Sequence, residues 1–214
     1  IFYRKHSFWI LKALLDGEQL FGLIKPMEHT RHLAQFDNYK FSVDEYSLMC
    51  IYHLENIQDS NVGRLYDELS AENKALLKIV ALMHEVAKSQ GKTSATHGLQ
   101  GANIFRSYAS KLELSQTSTA LGVTLIKNHS LMNKAIKGEI NAQNTLNLIS
   151  HIGSVEALKM LYILTYSIVN ATNDGFYSST MASTLRELYE GALAGFKSTS
   201  DKSLGEGRAR AKKE

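Results

Sequence analysis

The sequence predicts an all-α fold, a helical bundle with two buried central helices, and three observations carry that expectation. The 214 residues contain a single proline, Pro26, so almost every long segment is free to be helical. Apolar residues recur at three- and four-residue spacing, with few of the alternating runs that a half-buried strand needs. Two segments, 71–88 and 154–171, are apolar around most of their circumference, which places them at the centre of a bundle.

The elements follow in order. A first helix is predicted over residues 7–24 and ends at Lys25-Pro26, because proline disfavours helical geometry in the residue before it. Residues 34–41 make an irregular approach. Ser42-Val43-Asp44-Glu45 then has the S-x-x-E form, in which the serine oxygen caps a free N–H and the glutamate reaches back to another. A helix from Val43 to about Ile57 follows. The next, 71–88, carries Leu76, Leu77, Ile79, Val80, Ala81, Leu82, Met83 and Val86. Further helices are expected near 98–112, 116–128 and 142–150, with Gly and Asn as punctuation. Residues 154–171 form the second buried helix, leaving through Thr172-Asn173-Asp174-Gly175. A last helix over 176–196 sets Met181, Leu185, Leu188, Tyr189 and Leu193 at helical spacing.

At 44% hydrophobic content the chain can bury one sizeable core. The expected organisation is a helical lead-in over 1–33, the main domain over 34–196 and a basic tail or linker over 197–214. The formal charge of +3 resides in that tail: residues 197–214 hold six Lys or Arg against three Asp or Glu, leaving 18 of each sign before them. With no aromatics and no apolar periodicity, the tail reads as solvated, and a nucleic-acid role resting on Arg208, Arg210, Lys212 and Lys213 is the least favoured reading. The apolar stretch 7–15 is too short and too interrupted by Lys12 to span a membrane. A single Cys50 fits a reducing compartment. The expectation is a cytoplasmic segment of a longer soluble protein.

Chemistry centres on His84, which ends a buried apolar helix with Glu85 beside it, a nitrogen and an oxygen ligand in one step. In order after it come Lys88, Thr96-His97 before Gly101-Ala102, Asn128-His129-Ser130-Leu131-Met132 and Ala171-Thr172-Asn173. This series, with Phe41-Ser42-Val43-Asp44-Glu45-Tyr46, Ala81-Leu82-Met83-His84-Glu85-Val86-Ala87-Lys88 and the late run Leu185-Arg186-Glu187-Leu188-Tyr189, resembles the HD domain of the bifunctional PII uridylyltransferase/uridylyl-removing enzyme family. The resemblance covers most of the chain from about Phe36 to Leu193.

The resemblance implies a helical domain that hydrolyses a uridylyl group at a metal site built from a first histidine, the adjacent His-Asp pair and a distant aspartate. Here the first histidine's position holds Tyr46, the pair's aspartate is Glu85, and the late aspartate falls on Ile168. Only His84 stands unchanged. A hydrolytic metal must be held firmly while it polarises water and phosphoryl group, and isoleucine has no lone pair to offer. His97 and His129 match further histidines of the family, so His84, Glu85, His97 and His129 form a candidate cluster for a divalent metal (Zn, Mn or Mg). The other reading of these four is a set of hydrogen-bonded core polar groups. Lys88 would face the substrate phosphate as the one candidate catalytic side chain, or would simply sit at a helix end. Arg186 and Glu187 read equally well as a surface pair. The transferase half needs paired aspartates, and no Asp-x-Asp occurs among the seven aspartates.

The expected function is a regulatory, sensing or scaffolding domain of a PII-uridylyltransferase-like protein, with a PII-like signalling protein or other domains of the parent chain as partners. The first alternative is a metal-dependent phosphodiester hydrolase with an altered ligand set. The second is nucleic-acid binding through the tail.

Overall fold

The computed structural model describes residues 1–35, 40–88, 96–149, 152–172 and 177–211, with the backbone alone at 142, 145, 148 and 197–211. The architecture is all-helical, as expected, with no strand among the described residues. In chain order the elements are α1 (Phe8–Asp16), α2 (Leu20–Leu23), a 3₁₀ turn (Lys25–Thr30), α3 (Val43–Glu55), α4 (Ser60–Asp67), α5 (Ala71–Met83) and α6 (His97–Tyr108). A 3₁₀ turn (Ala109–Leu112) leads into α7 (Gln116–Asn128), α8 (Leu131–Ile136), α9 (Ala142–Ile149), α10 (Val155–Thr172) and α11 (Ser179–Ala211).

Helices α3, α5 and α10 form the centre and pack on one another, with α4, α7 and α11 also against α10. Every residue of α5 from Ala75 to Met83 is buried, and α10 is buried on nearly all sides from Ala157 to Thr172. Such all-round burial removes most of each side chain from water, roughly 1.5–3 kcal/mol for each large apolar residue. These are the two central helices that the sequence predicts.

Three boundaries differ from expectation. The single helix expected over 7–24 is two, because Gly17 ends α1 and Glu18 takes a positive φ of 58° that reverses the chain. The predicted stop at Lys25-Pro26 holds, as the start of a 3₁₀ turn. Helix α5 ends at Met83 rather than at residue 88: the chain tightens into turns closed by Val86 N–H to the Met83 carbonyl and Lys88 N–H to the Glu85 carbonyl. Helix α11 continues to Ala211, beyond the expected end at 196. The Ser42 capping box forms as read, with Glu45 accepting from the Ser42 N–H at 3.1 Å. Residues 36–39 of the irregular approach, the exit at 173–175 and Phe176 lie outside the described residues. Among those that are described, no helix is long and apolar enough to cross a membrane.

Candidate metal centre

The ends of three helices converge on one small cavity. His84 caps the C-terminus of α5 and His129 that of α7, while His97 opens α6. The approach of α6 to α7 needs a glycine: a Cβ on Gly98 would lie 2.8 Å from the Lys127 carbonyl oxygen. Gly98 thereby lets His97 stand beside His129.

Both capping histidines are fixed in the same way. The His84 Nδ1–H donates to the Ala81 carbonyl at 2.7 Å, and the His129 Nδ1–H to the Ile126 carbonyl at 2.7 Å. A carbonyl only accepts, so Nδ1 carries the proton on both rings and Nε2 is left as the basic nitrogen. This backbone hydrogen bond is the support that metal-ligating histidines usually have. Burial drives the His84 imidazole down to about 3, against the opposing pull of Glu85, so it is neutral at ordinary pH. Burial likewise lowers His129, with Glu85 opposing.

The three remaining groups meet closely. Nε2 of His97 and Nε2 of His129 are 3.2 Å apart, and Glu85 Oε2 is 3.7 Å from His97 Nε2. The donor atoms of Glu85, His97 and His129 lie within 4.8 Å of one another. Two imidazole nitrogens that share a tetrahedral ion, each about 2.0–2.1 Å from it, would be separated by about the spacing of the His97 and His129 Nε2 atoms. His84 stands behind them, its Nε2 4.0 Å from Glu85 Oε1 and its ring edge-on to His129. Burial works to raise the Glu85 carboxyl, but His84, His129, Lys88 and His97 outweigh it and hold the group below its ordinary value. Among the described residues, His84 Nε2 and Glu85 Oε2 are both buried without a hydrogen-bond partner. Orphaned atoms of this kind are rare in folded interiors, and the Glu85 oxygen beside the His97 and His129 imidazoles fits a cation as its partner.

Tyr46 and Ile168 line the same cavity. Tyr46 on α3 and Ile168 on α10 face it together with Glu85, Lys88, His97 and His129, around a volume of about 150 Å³. The Tyr46 hydroxyl donates to the Ile168 carbonyl at 3.3 Å. The side chain of one and the backbone of the other are thus joined across the cavity wall by a hydrogen bond. Lys88 reaches the cavity from the turn after α5, its ammonium 2.7 Å from Gln35 Oε1 and 3.6 Å from Glu85 Oε1.

Arg186 lies elsewhere, in a separate cavity with Asp59 and Tyr162, and Glu187 accepts from Ser183 on its own helix. Tyr166 is a core residue that bonds the Gln58 N–H through its hydroxyl, with Tyr177 edge-on beside it. The sequence reading missed one wall altogether: Ser130, Asn133, Lys134, Lys137 and Glu139, on and after α8. The polar residues at 130, 133, 134 and 137 recur at the spacing of one helical face, a signal present directly after His129.

The fold and this cavity define an all-α domain with a histidine-carboxylate cluster set among helix ends. No protein-family model matches the chain. Among curated proteins, it is 28% identical over 189 residues to the bifunctional uridylyltransferase/uridylyl-removing enzyme of Nitrobacter winogradskyi, covering 84% of this chain and 20% of that protein. The protein of the same name from Bradyrhizobium diazoefficiens gives the same identity and coverage. That from Azospirillum brasilense is 28% identical over 166 residues, 72% of this chain and 17% of its own length. The chain thus spans about a fifth of the relatives it matches, and those relatives are bifunctional uridylyltransferase/uridylyl-removing enzymes.

Proposed function

We propose that this chain is the HD-type domain of a protein similar to the uridylyltransferase/uridylyl-removing enzymes, altered so that its cavity binds and senses and does not hydrolyse. The observation that carries this reading is the Tyr46–Ile168 hydrogen bond. It occupies the two positions from which a hydrolytic centre would draw its first histidine and its late carboxylate. What is left is a compact set on the opposite side of the cavity: Glu85, His97 and His129, with His84 behind. Imidazole-rich donors of this kind suit zinc more than magnesium. A bound ion there would supply a Lewis acid, and the residues around it would hold an anionic ligand in place. A PII-like protein, or another domain of the parent chain, is the partner whose state such a domain would report.

A second reading, a hydrolase working with the altered set of His84, Glu85, His97 and His129, is favoured by the two unpartnered atoms at its centre. One experiment separates the two. Metal is measured by elemental analysis on protein purified without chelators, and UMP release from a uridylylated PII protein is assayed with added manganese. About one metal per chain, lost in His97→Ala/His129→Ala, with no UMP release is the expected result. Release at catalytic turnover would establish the hydrolase. Absence of metal from the wild-type chain would overturn the metal-holding part of the proposal.

A further inference from the structure

Exposed apolar side chains are concentrated in the first 24 residues. Ile1, Tyr3, Trp9, Ile10 and Leu23 lie there, five of the seven large hydrophobic side chains that are exposed among the described residues. Trp9 is 68% exposed and Tyr3 73%. Helix α1 accounts for the placing of the tryptophan. Phe8, Leu11 and Leu15 turn inward and fix the rotation of the helix, so at about 3.6 residues per turn Trp9, Ile10 and Ala13 share the outward face. Single exposed apolar residues are ordinary, but a group of them on one face marks a surface that another surface covers.

The charges along the segment say what that other surface is. Residues 1–12 hold Arg4, Lys5 and Lys12 and no acid, whereas residues 13–24 hold Asp16 and Glu18 and no Lys or Arg. The sign therefore reverses at Lys12-Ala13, in the middle of α1. Arg4, Lys5, Asp16 and Glu18 are all exposed. Lys12 pairs with Asp16 at 2.5 Å and Glu18 pairs with Arg31, but ion pairs that stand in water are worth little and exchange partners readily.

A second copy of the chain, turned by a two-fold axis across α1, matches this pattern without any further requirement. The basic half of each copy then faces the acidic half of the other, and the two helix dipoles run in opposite directions. Ala13, the small residue of the outward face, sits beside the axis, where the helices come closest. Trp9 of each copy falls toward the Asp16-Gly17 end of the other.

We infer that this chain forms a two-fold dimer through α1, with Trp9 as its anchor and the opposed charges of residues 1–12 and 13–24 setting its direction. Large aromatic anchors carry most of the energy of such contacts. Nine residues of helix span only about 13 Å, short of the roughly 800 Å² per partner of a standard interface. The dimer is accordingly weak and sensitive to salt.

The test is sedimentation velocity on the full chain over a series of concentrations, in about 0.1 M and about 1 M salt, where charges are screened beyond about 10 Å and about 3 Å. Three variants accompany wild type: Trp9→Glu, Arg4→Glu/Lys5→Glu and Asp16→Lys/Glu18→Lys, the last two also as an equimolar mixture. The replaced side chains are exposed, so the fold should persist, and circular-dichroism melts verify it. Wild type is expected to pass from monomer to dimer as concentration rises, less readily in high salt. Association should be at least about tenfold weaker in Trp9→Glu and in each charge variant alone. The mixture should regain it, because only there do both opposed contacts bring unlike charges together. A wild type that stays monomeric at every concentration, association that Trp9→Glu leaves unchanged, or a mixture that fails to associate overturns the inference. A monomeric chain that binds anionic lipid vesicles would assign the face to a membrane surface and overturn it as well.

Discussion

Ile168 puts a branched alkane on the wall of a cavity otherwise lined by side chains that carry polar groups. Its backbone carbonyl, not its side chain, carries the polar contact there, accepting from Tyr46. Replacing it by aspartate would set a carboxylate in a site that is 2% exposed, and an unpaired buried charge costs several kcal/mol. If the neighbouring Glu85, His97 and His129 are ligands, a divalent ion would offset that charge. Ile168→Asp is therefore expected to melt well below wild type in EDTA, and to recover most of the loss when zinc or manganese is added, as followed by circular dichroism. Equal melting with and without metal would argue that the cavity cannot hold an ion. At this scale the positions were legible as an ordered series, His84-Glu85, His97 and His129 with Tyr46 and Ile168, because the resemblance supplies them in sequence. Their bonding was not. Tyr46 meets Ile168 across 122 residues of chain, and Lys88 meets Gln35 across 53. Nor does composition reveal that His84 and His129 turn their Nδ1–H groups back on their own helices.

Among the elements, legibility followed length. Helices α3, α7 and α10 were readable because 13 to 18 residues give several turns of apolar periodicity. Helices α4 and α8, with eight and six residues, give too few turns to establish such a period, and α9, also of eight residues, was placed by the Gly and Asn punctuation around it instead. In α4 the start signal was nonetheless present, since Asp59 Oδ1 accepts from the Asn61 and Val62 N–H groups. In α8 the stop signal was the stronger, Gly138 after Lys137. An L-residue in the left-handed region costs about 1–2 kcal/mol, and a Cβ on Gly138 meets open space, so backbone strain alone decides the outcome. Gly138→Ala is expected to lower the urea midpoint by an amount equivalent to about 1–2 kcal/mol with an unchanged m-value. A neutral result would mean that the turn after α8 relaxes freely, and the Lys134–Lys137 wall with it.

Across the whole molecule, one buried ion pair ties the lead-in to the bundle. Lys78 on α5 lies 2.6 Å from Glu55 at the end of α3, and both side chains are almost fully enclosed. Glu55 also accepts from the Ser7 N–H at 2.7 Å and the Phe8 N–H at 3.1 Å, serving as the cap that α1 lacks from its own residues. Lys78 completes the junction by donating to the Arg4 carbonyl at 2.7 Å. Burial alone would raise the Glu55 carboxyl, but hydrogen bonds from Lys78, Ser7 and Phe8 outweigh it and hold the group below its ordinary 4.5. Because the folded value is the lower one, the unfolded chain takes up the proton first as pH falls. The stabilisation is thus fully present above about 4.5 and is lost as pH drops through the folded value. Glu55→Gln keeps the shape but leaves Lys78 as a buried uncompensated charge, at a cost of about 3–5 kcal/mol near neutral pH. The acid limb of stability should then be shallower than in wild type below pH 4.5, since the variant has no carboxylate there to lose. The histidines contribute separately at higher pH: His84, held down near 3 by burial, withdraws stability as pH falls from its ordinary 6.5, in wild type and variant alike. Urea midpoints at half-unit steps from pH 7 to pH 3 resolve the two. Parallel curves below pH 4.5 would show that Glu55 is not the group that holds residues 1–8 to the core.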